Sequence, residues 1–407
     1  MSAAQGPGEL VRERRIIVCV GTGGVGKTTL AASFALAGAR LGRRTAVLTI
    51  DPARRLADAL GIAELGNQPT DLPRERLAAL GVPPEGRLAA LMLDMKRTFD
   101  ELVARFTDSE EARERILGNR IYQHVSDALA GSAEYSAMEK VFELSERRDF
   151  DLIVVDTPPS QHALDFLEAP RRLVEFLDSR LVQVLLHPAF AAGRFGVRIF
   201  QRGSERVLRL VERVSGVAFL EDISEFLLAF EGMSEGFRER AREVQARLVG
   251  PDAAFVLAAS PATQSTRHAL SMLERLTAAG VPLAGVVVNR MHTWPGRDST
   301  PDRVPTADLA SEAQRALAAA FASSEGPAFP ADAAARAALA AADGYAALVR
   351  SDAESTGELT ARVARMGGFV RRVPELSGDV HDLEGLARVA DLVLEAAPSG
   401  RENGENR

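Results

Sequence analysis

The stretch Gly21-Thr22-Gly23-Gly24-Val25-Gly26-Lys27-Thr28-Thr29 decides the fold of this chain. It follows a short apolar run, Ile16–Val20, and leads into residues of helical composition, 30–37. Its spacing fits G-x-x-x-x-G-K-[ST], the P-loop that joins a buried strand to a helix and holds phosphate groups. The sequence therefore predicts a strand, a phosphate-binding loop and a helix, in that order.

The loop residues are of the types that bind a nucleoside triphosphate. Small glycines let successive backbone amides point at phosphate oxygens, and the following helix N-terminus adds positive potential. Lys27 can neutralise the β- and γ-phosphates, and the Thr28 hydroxyl is placed to coordinate Mg²⁺. We predict nucleotide contacts from Gly23, Gly24, Val25, Gly26, Lys27, Thr28 and Thr29. A glycine-rich turn that binds nothing is the alternative, and the ordered strand, lysine, threonine and helix disfavour it.

Composition excludes several classes of protein. The 407 residues are 46% hydrophobic and 26% charged, which is typical of a folded globular chain. A net charge of −7 argues against a general nucleic-acid binder. No apolar run reaches the roughly 18 residues that span a bilayer, and the N-terminus is polar. We therefore predict a soluble cytoplasmic protein without a nucleic-acid partner or an integral membrane segment.

Short apolar runs alternate with helical stretches along the chain. Several read as continuous Val/Ile/Leu runs, as strands buried on both faces of a parallel sheet do. This alternation predicts an α/β fold with a doubly wound, mainly parallel sheet. The predicted strands are Ile16–Val20, Thr45–Ile50, Leu152–Val155, Ala254–Ala258, Leu283–Val288 and Gly368–Val373.

The chain divides into one large domain between two tails. Residues 1–13 and 398–407 are predicted to be flexible tails, and residues 14–397 to form the domain. Helical insertions at about 88–148 and 170–250 interrupt the βα alternation and would form a helical subdomain. Residues 190–237 hold seven of the 18 phenylalanines. They are either the core of that subdomain or a groove for an apolar partner.

Two aspartates follow predicted strands at the edge where open α/β sheets bind ligands. Asp51 could orient or deprotonate the water that attacks a γ-phosphate, although it could also be the N-cap of the next helix. Asp156 follows four apolar residues, so it is a Walker-B-like ligand for Mg²⁺. Arg54 and Arg55 could contact phosphate, a partner subunit or only solvent.

The end of a later strand indicates the base. Asn289 follows Val286-Val287-Val288 and could bond the edge of a purine. Guanine-specific P-loop proteins carry an aspartate at the place held here by His292, so adenine is favoured. A plain strand-terminal turn is the alternative reading and leaves the base undetermined.

Taken in order, these motifs resemble those of the ArsA-type ATPases, which include arsenite-pump and tail-anchored-protein targeting ATPases. The resemblance extends from about Ile16 to Val393. The ArsA-type family itself belongs to the wider class of dimeric P-loop ATPases. Four segments carry it besides the P-loop: Asp51-Pro52-Ala53 resembles switch I, Asp156–His162 resembles switch II, Asn289 matches an adenine-contacting asparagine, and Val373-Pro374 resembles a loop that covers the base.

The resemblance implies a dimeric ATPase that uses ATP and Mg²⁺. Asp51 would position the lytic water, with Pro52 and Arg54 beside it in switch I. Asp156 and His162 would relay the nucleotide state to the helical subdomain, and Pro374 would contact the base. The partner would be a second copy or a paralogous ATPase, with a hydrophobic client or a membrane protein as a further partner.

Three departures limit what the resemblance implies. The signature lysine of the family, which reaches the partner's phosphates, is Thr22 here; hydrolysis is then slower, or Arg54, Arg55 or a paralogous partner supplies the charge. The zinc-binding Cys-x-x-Cys pair is missing, and Cys19 alone cannot form an arsenite site. We therefore expect an ATP-driven switch, or alternatively a module that sequesters apolar helices with ATP as a slow timer.

Overall fold

The structure is a computed structural model, and it describes residues 6–51, 53–107, 109–119, 122, 132–158, 175, 236, 239–294, 307–322 and 330–394. The strands are β1 (Ile16–Gly21), β2 (Arg44–Thr49), β3 (Thr70–Asp71), β4 (Arg87–Met92), β5 (Leu152–Asp156), β6 (Ala253–Ala259), β7 (Leu283–Met291) and β8 (Phe369–Pro374). The helices are α1 (Pro7–Glu13), α2 (Lys27–Arg40), α3 (Arg55–Leu60), α4 (Arg74–Ala79), α5 (Met95–Phe106), α6 (Glu110–Gly118), α7 (Ser132–Arg147), α8 (Thr263–Ala278), α9 (Ala307–Ala322), α10 (Ala331–Arg365) and α11 (Leu383–Leu394).

The strands form one sheet in the order β3-β4-β2-β5-β1-β6-β7-β8. All neighbours are parallel except the short β3, which pairs antiparallel with β4. Each of the six strands expected from the sequence is present. The prediction of a doubly wound, mainly parallel α/β sheet is therefore confirmed.

Both faces of the sheet are covered, which is why its strands are apolar throughout. Ile16, Val18 and Val20 of β1 point into a core shared with α5, α7, α8 and α10. Ile17 and Cys19 point the opposite way, into a core shared with α1, α2, α3 and α11. This alternation follows from the two-residue period of a strand. It leaves the ends of the sheet as the places where polar groups can gather.

Strand register brings the chemistry to one edge. Asp156, the last residue of β5, lies beside Cys19 of β1 on one side and Thr49 of β2 on the other. The P-loop follows β1 directly, and Asp51 lies two residues beyond β2. Since parallel strands end at the same edge, the motifs that are far apart in sequence become neighbours.

The first helical insertion is shorter than the sequence indicates. Residues 88–148 were expected to be helical, but Arg87–Met92 form β4, parallel to β2. The run Leu88-Ala89-Ala90-Leu91-Met92 lacks the β-branched and aromatic residues that favour strands. Burial between the two cores overrides that local preference.

The prediction of a flexible tail over residues 1–13 is wrong for its second half. Residues Pro7–Glu13 form α1, which begins with a proline that suits the first helical position. Leu10 and Val11 are fully buried against the second core. Two adjacent apolar side chains on a single helical turn were too weak a signal to show this in the sequence.

Other predicted features lie partly or wholly outside the described residues. These are the tail 398–407 and most of the second insertion, 170–250. Near the end of that insertion, residues 239–248 are helical. There the buried Arg240 contacts Glu139 of α7 at 2.7 Å, so this segment is joined to the helix that leads into β5. Among the residues described, no helix has the length and apolar character needed to cross a bilayer.

Candidate active site

The P-loop adopts a conformation that depends on its glycines. Gly24 and Gly26 have positive φ angles of 79° and 90°, which side chains with a Cβ rarely adopt. At Gly26 a Cβ would also collide with the amide nitrogen of Asn289. Helix α2 begins at the next residue, Lys27, so its N-terminus faces the loop. The backbone amides and the helix end thus share one anion-binding concavity.

Lys27 is held inside the loop. Its side chain is only 7% exposed, and Nζ donates a hydrogen bond to the carbonyl oxygen of Thr22 at 2.8 Å. Burial lowers the pKa of Lys27, against the opposing effects of Asp156 and Asp51. A charged ammonium that has lost most of its water is stabilised by an anion. A triphosphate would supply one.

Asp156 is the carboxylate at the centre of the site. Its Oδ2 accepts hydrogen bonds from the hydroxyls of Thr28 at 2.7 Å and Thr49 at 3.0 Å. Burial raises its pKa to about 6, although the two hydroxyls and Lys27 act in the opposite direction. Its Oδ1 is buried and has no hydrogen-bond partner within the described part of the chain. One carboxylate oxygen therefore lacks the compensation that burial demands.

This donor set fits Mg²⁺. The ion prefers oxygen ligands, and it is usually held by one or two carboxylates, substrate phosphates and water rather than by a protein cage. Asp156 and the Thr28 hydroxyl provide such ligands, with an unpaired carboxylate oxygen among them. In the ranges that the structure describes, no cluster of three or more His, Cys, Asp or Glu could form a separate metal site.

Asp51 lies on the loop after β2, as the sequence indicates, but it does not cap α3. Its Oδ1 accepts a hydrogen bond from the backbone nitrogen of Ala53 at 3.0 Å, and the N-cap of the helix is Arg54. Its Oδ2 is 3.9 Å from Nη1 of Arg55. The carboxylate therefore closes a local turn and faces a cation. Pro52, the next residue of the predicted switch, lies outside the described residues.

The two arginines of this loop have different environments. Arg54 donates a hydrogen bond to the carbonyl oxygen of Ala63 and lines a cavity of about 330 Å³ together with Thr49 and Met92. The side chain of Arg55 is 66% exposed, and its charge acts on the pKa of Lys27. Arg55 therefore lies within electrostatic reach of the phosphate loop. His162, which was expected in the second switch, lies outside the described residues.

The predicted base contacts lie on the other side of the P-loop. Nδ2 of Asn289 donates to the carbonyl oxygen of Val25 at 3.1 Å, so the asparagine is in direct contact with the loop. The next residue, Arg290, has a φ of 59°, and the pairing of β7 with β8 shifts register here. Such bulges re-aim side chains at sheet ends. Beyond the shift, Pro374 lies opposite Met291.

Sequence reasoning missed two polar residues of this edge. Thr49 is the last residue of β2, and its position beside the predicted Walker-B aspartate could have been read from strand alignment. Asp352 contacts His292 from the middle of α10, 60 residues away in sequence. A carboxylate within an alanine-rich helix carries no local signal of such a contact.

Comparison with known sequences identifies one family of ATPases. The sequence model of the anion-transporting ATPase family, ArsA_ATPase, matches residues 14–301. A protein of Halobacterium salinarum named as an arsenical pump-driving ATPase is 31% identical over 168 residues, 41% of this chain but only 26% of the relative. The ATPase get3 of Schizosaccharomyces japonicus is 25% identical over 67% of this chain and 72% of its own length. The ATPase get3 of Schizosaccharomyces pombe is 26% identical over 67% and 71%.

The buried carboxylate predicts a stability change that depends on pH. A raised pKa means that the folded state binds the proton more tightly, so Asp156 lowers stability as pH rises from about 4 to about 6. Asp156→Asn removes this penalty. We expect it to raise the free energy of unfolding without nucleotide by up to about 3 kcal/mol near pH 7.5, and by almost nothing near pH 4.

Chemical denaturation at both pH values measures this difference. Thr98→Val, which removes a buried hydroxyl of α5 that donates to Asn67, controls for the loss of a polar group. If Asp156→Asn is less stable than the wild type near pH 7.5, the protein's own groups already offset the cost of burying the charged carboxylate, and the prediction is wrong.

Proposed function

Because the chain belongs to the ArsA family of anion-transporting ATPases, we propose that it is a Mg-ATP-hydrolysing switch that works as a dimer. The match over residues 14–301 confirms the family, and with it the prediction of an ATPase of this family. The nucleotide contacts, the roles of single residues and the partners are our proposal. The observation that carries it is the buried Asp156 carboxylate, bonded to the P-loop threonine and left with one unpaired oxygen.

The residues around that carboxylate divide the work of phosphoryl transfer. Lys27 and the loop amides bind the β- and γ-phosphates, and Lys27 exchanges its bond to the Thr22 carbonyl for phosphate oxygens. Thr28 and Asp156 would hold Mg²⁺, which would supply positive charge to the phosphate oxygens when bound. Asp51 orients the attacking water, and Asn289 with Pro374 contacts the adenine.

Substitution of Asp51 and Lys27 tests the active site. Asp51→Asn keeps the size of the side chain but removes the base, so we expect kcat for ATP to fall by about 10²–10⁴ while ATP binding is retained. Lys27→Ala removes the cation that holds the phosphates and is expected to lose both binding and turnover. Steady-state hydrolysis and calorimetry measure the two effects. Undiminished turnover in either variant would remove that residue from the proposed mechanism.

Arg55 is our candidate for the charge that Thr22 does not supply. It is exposed, faces Asp51, and acts on Lys27, whereas Arg54 bonds to the Ala63 carbonyl. Because α3 begins at Arg55, a small rearrangement of the preceding loop would carry this side chain to the phosphates of its own chain or of a partner. Arginine at such a position stabilises charge that develops during transfer.

A substitution with rescue tests this role. Arg55→Gln is expected to lower kcat by at least about tenfold, since cations placed on a transferring phosphoryl group contribute at least this much. Adding Thr22→Lys to the same chain should restore part of the rate. The matched control is Arg76→Gln, which removes an exposed arginine that bonds to the Gly61 carbonyl next to α3. Equal rates in Arg55→Gln and the control would reject Arg55.

We further propose that nucleotide state changes the helical subdomain and thereby its hold on a partner. The support is connectivity: Asp156 ends β5, the preceding α7 belongs to the first insertion, and Glu139 of α7 bonds to Arg240 of the second. A shift of β5 or of the loop after it would therefore be transmitted to both insertions through these connections. Sequestration of apolar helices is the second candidate, and the cluster of phenylalanines in residues 190–237 favours it.

Photo-crosslinking tests whether the phenylalanine-rich segment holds a client. Cross-linking residues at Phe226 and Phe230, in an Asp51→Asn chain that retains ATP, should capture proteins that carry an apolar helix. A cross-linker at the exposed Arg76, outside both insertions, provides the background. Capture should differ between ATP and ADP because the proposal links client binding to nucleotide state. Identical yields at all three positions would reject a client groove in this segment.

A further inference from the structure

His292 joins three elements at the base side of the site. Its backbone nitrogen and its Nδ1 each lie 2.8 Å from Oδ2 of Asp352, on α10. Its Nε2 lies 3.3 Å from Oε2 of Glu375, which follows Pro374. Both ring nitrogens thus face carboxylates, one on a helix and one on the loop after β8. His292, which follows the end of β7, therefore lies between two carboxylates.

The helix that provides Asp352 is firmly placed. Asp352 is largely buried, and Ser355, one turn further along α10, donates to the carbonyl oxygen of Pro261 at 2.6 Å. Tyr345, two turns earlier, donates to the Thr293 carbonyl oxygen at 3.1 Å and meets the His292 ring edge-on at 5.8 Å. The long α10 therefore fixes His292 on the side away from Glu375.

The loop on the other side of His292 is less well anchored. Its backbone is joined to β7 by the hydrogen bond from the Glu375 nitrogen to the Met291 oxygen at 2.9 Å. The Glu375 side chain is mostly exposed, and its contact with His292 is the 3.3 Å approach of Oε2 to Nε2. The side-chain contact therefore holds the residue next to Pro374 against the strand end that carries Asn289.

We propose that His292 is a positioning residue for the adenine, fixing Asn289 and Pro374 at the spacing that the base requires. The inference rests on the proposed nucleotide site, and it identifies the residue that positions the groups expected to contact the base. It acts on the base through Asp352 and Glu375 and has no role in holding the phosphates. The imidazole of His292 has no carboxylate to accept the N–H groups of guanine, as an aspartate at this position would. The same residue thus favours adenine over guanine.

Two ligands, one with the base and one without it, distinguish an effect on base binding from an effect on phosphate binding. Inorganic tripolyphosphate carries the charges of ATP without its base, so it reports on the P-loop alone. In His292→Ala we expect the Kd for Mg-ATP to rise about tenfold, the effect of losing about one hydrogen bond to a charged group. The Kd for Mg-tripolyphosphate should stay within about twofold of the wild type. KM for ATP should rise while kcat at saturation is retained, and the preference for ATP over GTP should decrease.

Conservative variants identify which contact matters. His292→Asn places an amide nitrogen near the position of Nδ1 and keeps a donor for Asp352, whereas His292→Gln places one near Nε2 and keeps a donor for Glu375. Partial recovery of ATP affinity in His292→Gln is expected, since the loop contact is the one that needs the ring. These two variants also carry the test if the alanine variant does not fold. The matched control is His381→Ala, at a histidine whose side chain is 77% exposed, which should bind both ligands as the wild type does.

Calorimetry on the full chain gives a clear decision. Equal weakening of ATP and tripolyphosphate would show a general structural role and overturn the inference, as would an unchanged ATP affinity in every His292 variant. A wild type that binds neither ligand would instead reject the proposed nucleotide site itself. Selective loss of ATP, with tripolyphosphate retained, supports the positioning role.

Discussion

The candidate active site is organised around two opposite charges that are buried at the end of the central strands. Lys27 and Asp156 are both removed from water beside β1, and neither has enough partners there to offset the cost. Burial lowers the pKa of the lysine and raises that of the aspartate, so each is pushed towards its neutral form. Such a pair lowers the free energy of unfolding of the free protein, and it leaves a site that is already arranged for charged ligands. Phosphate for the lysine and a divalent cation for the carboxylate would restore the missing partners.

The two sides of this charged centre differ in how firmly they are held. On one side the P-loop is enclosed by β1, α2 and the Asn289 side chain, which a Cβ at Gly26 would strike. On the other side the loop after β2 is held at Asp51 by one backbone hydrogen bond and by a cation 3.9 Å away. Loops with few buried contacts open at low cost. If the proposed function holds, a change of ligand at the γ-phosphate would therefore move the Asp51 loop before it moved the P-loop.

The sequence predicts well what is decided locally. The strand β1, the P-loop and the N-terminus of α2 follow from adjacent residues, and the aspartates after β2 and β5 follow from where apolar runs end. Strand β4 was missed because its leucine and alanine residues have no strand preference of their own, and its burial is decided by β2. The contacts of Thr49 and Asp352 depend on register and on a distant helix. Pairing between distant segments is a property of the folded chain, and no local pattern encodes it.

The proposed nucleotide site thus consists of two halves with different origins in the chain. The phosphate half is built from β1, β2 and β5, all within residues 14–301, where the family model matches. The proposed base half would depend on Asp352 of α10, on Pro374 at the end of β8 and on Glu375 after it, and these residues lie beyond that match. His292 is the point where the two meet, because it follows the strand that carries Asn289 and Asn289 contacts the P-loop. Changes in α10 would therefore alter base recognition through His292 while leaving the phosphate chemistry intact. Under this proposal α10 would influence nucleotide affinity without any change in the residues proposed to hydrolyse the nucleotide.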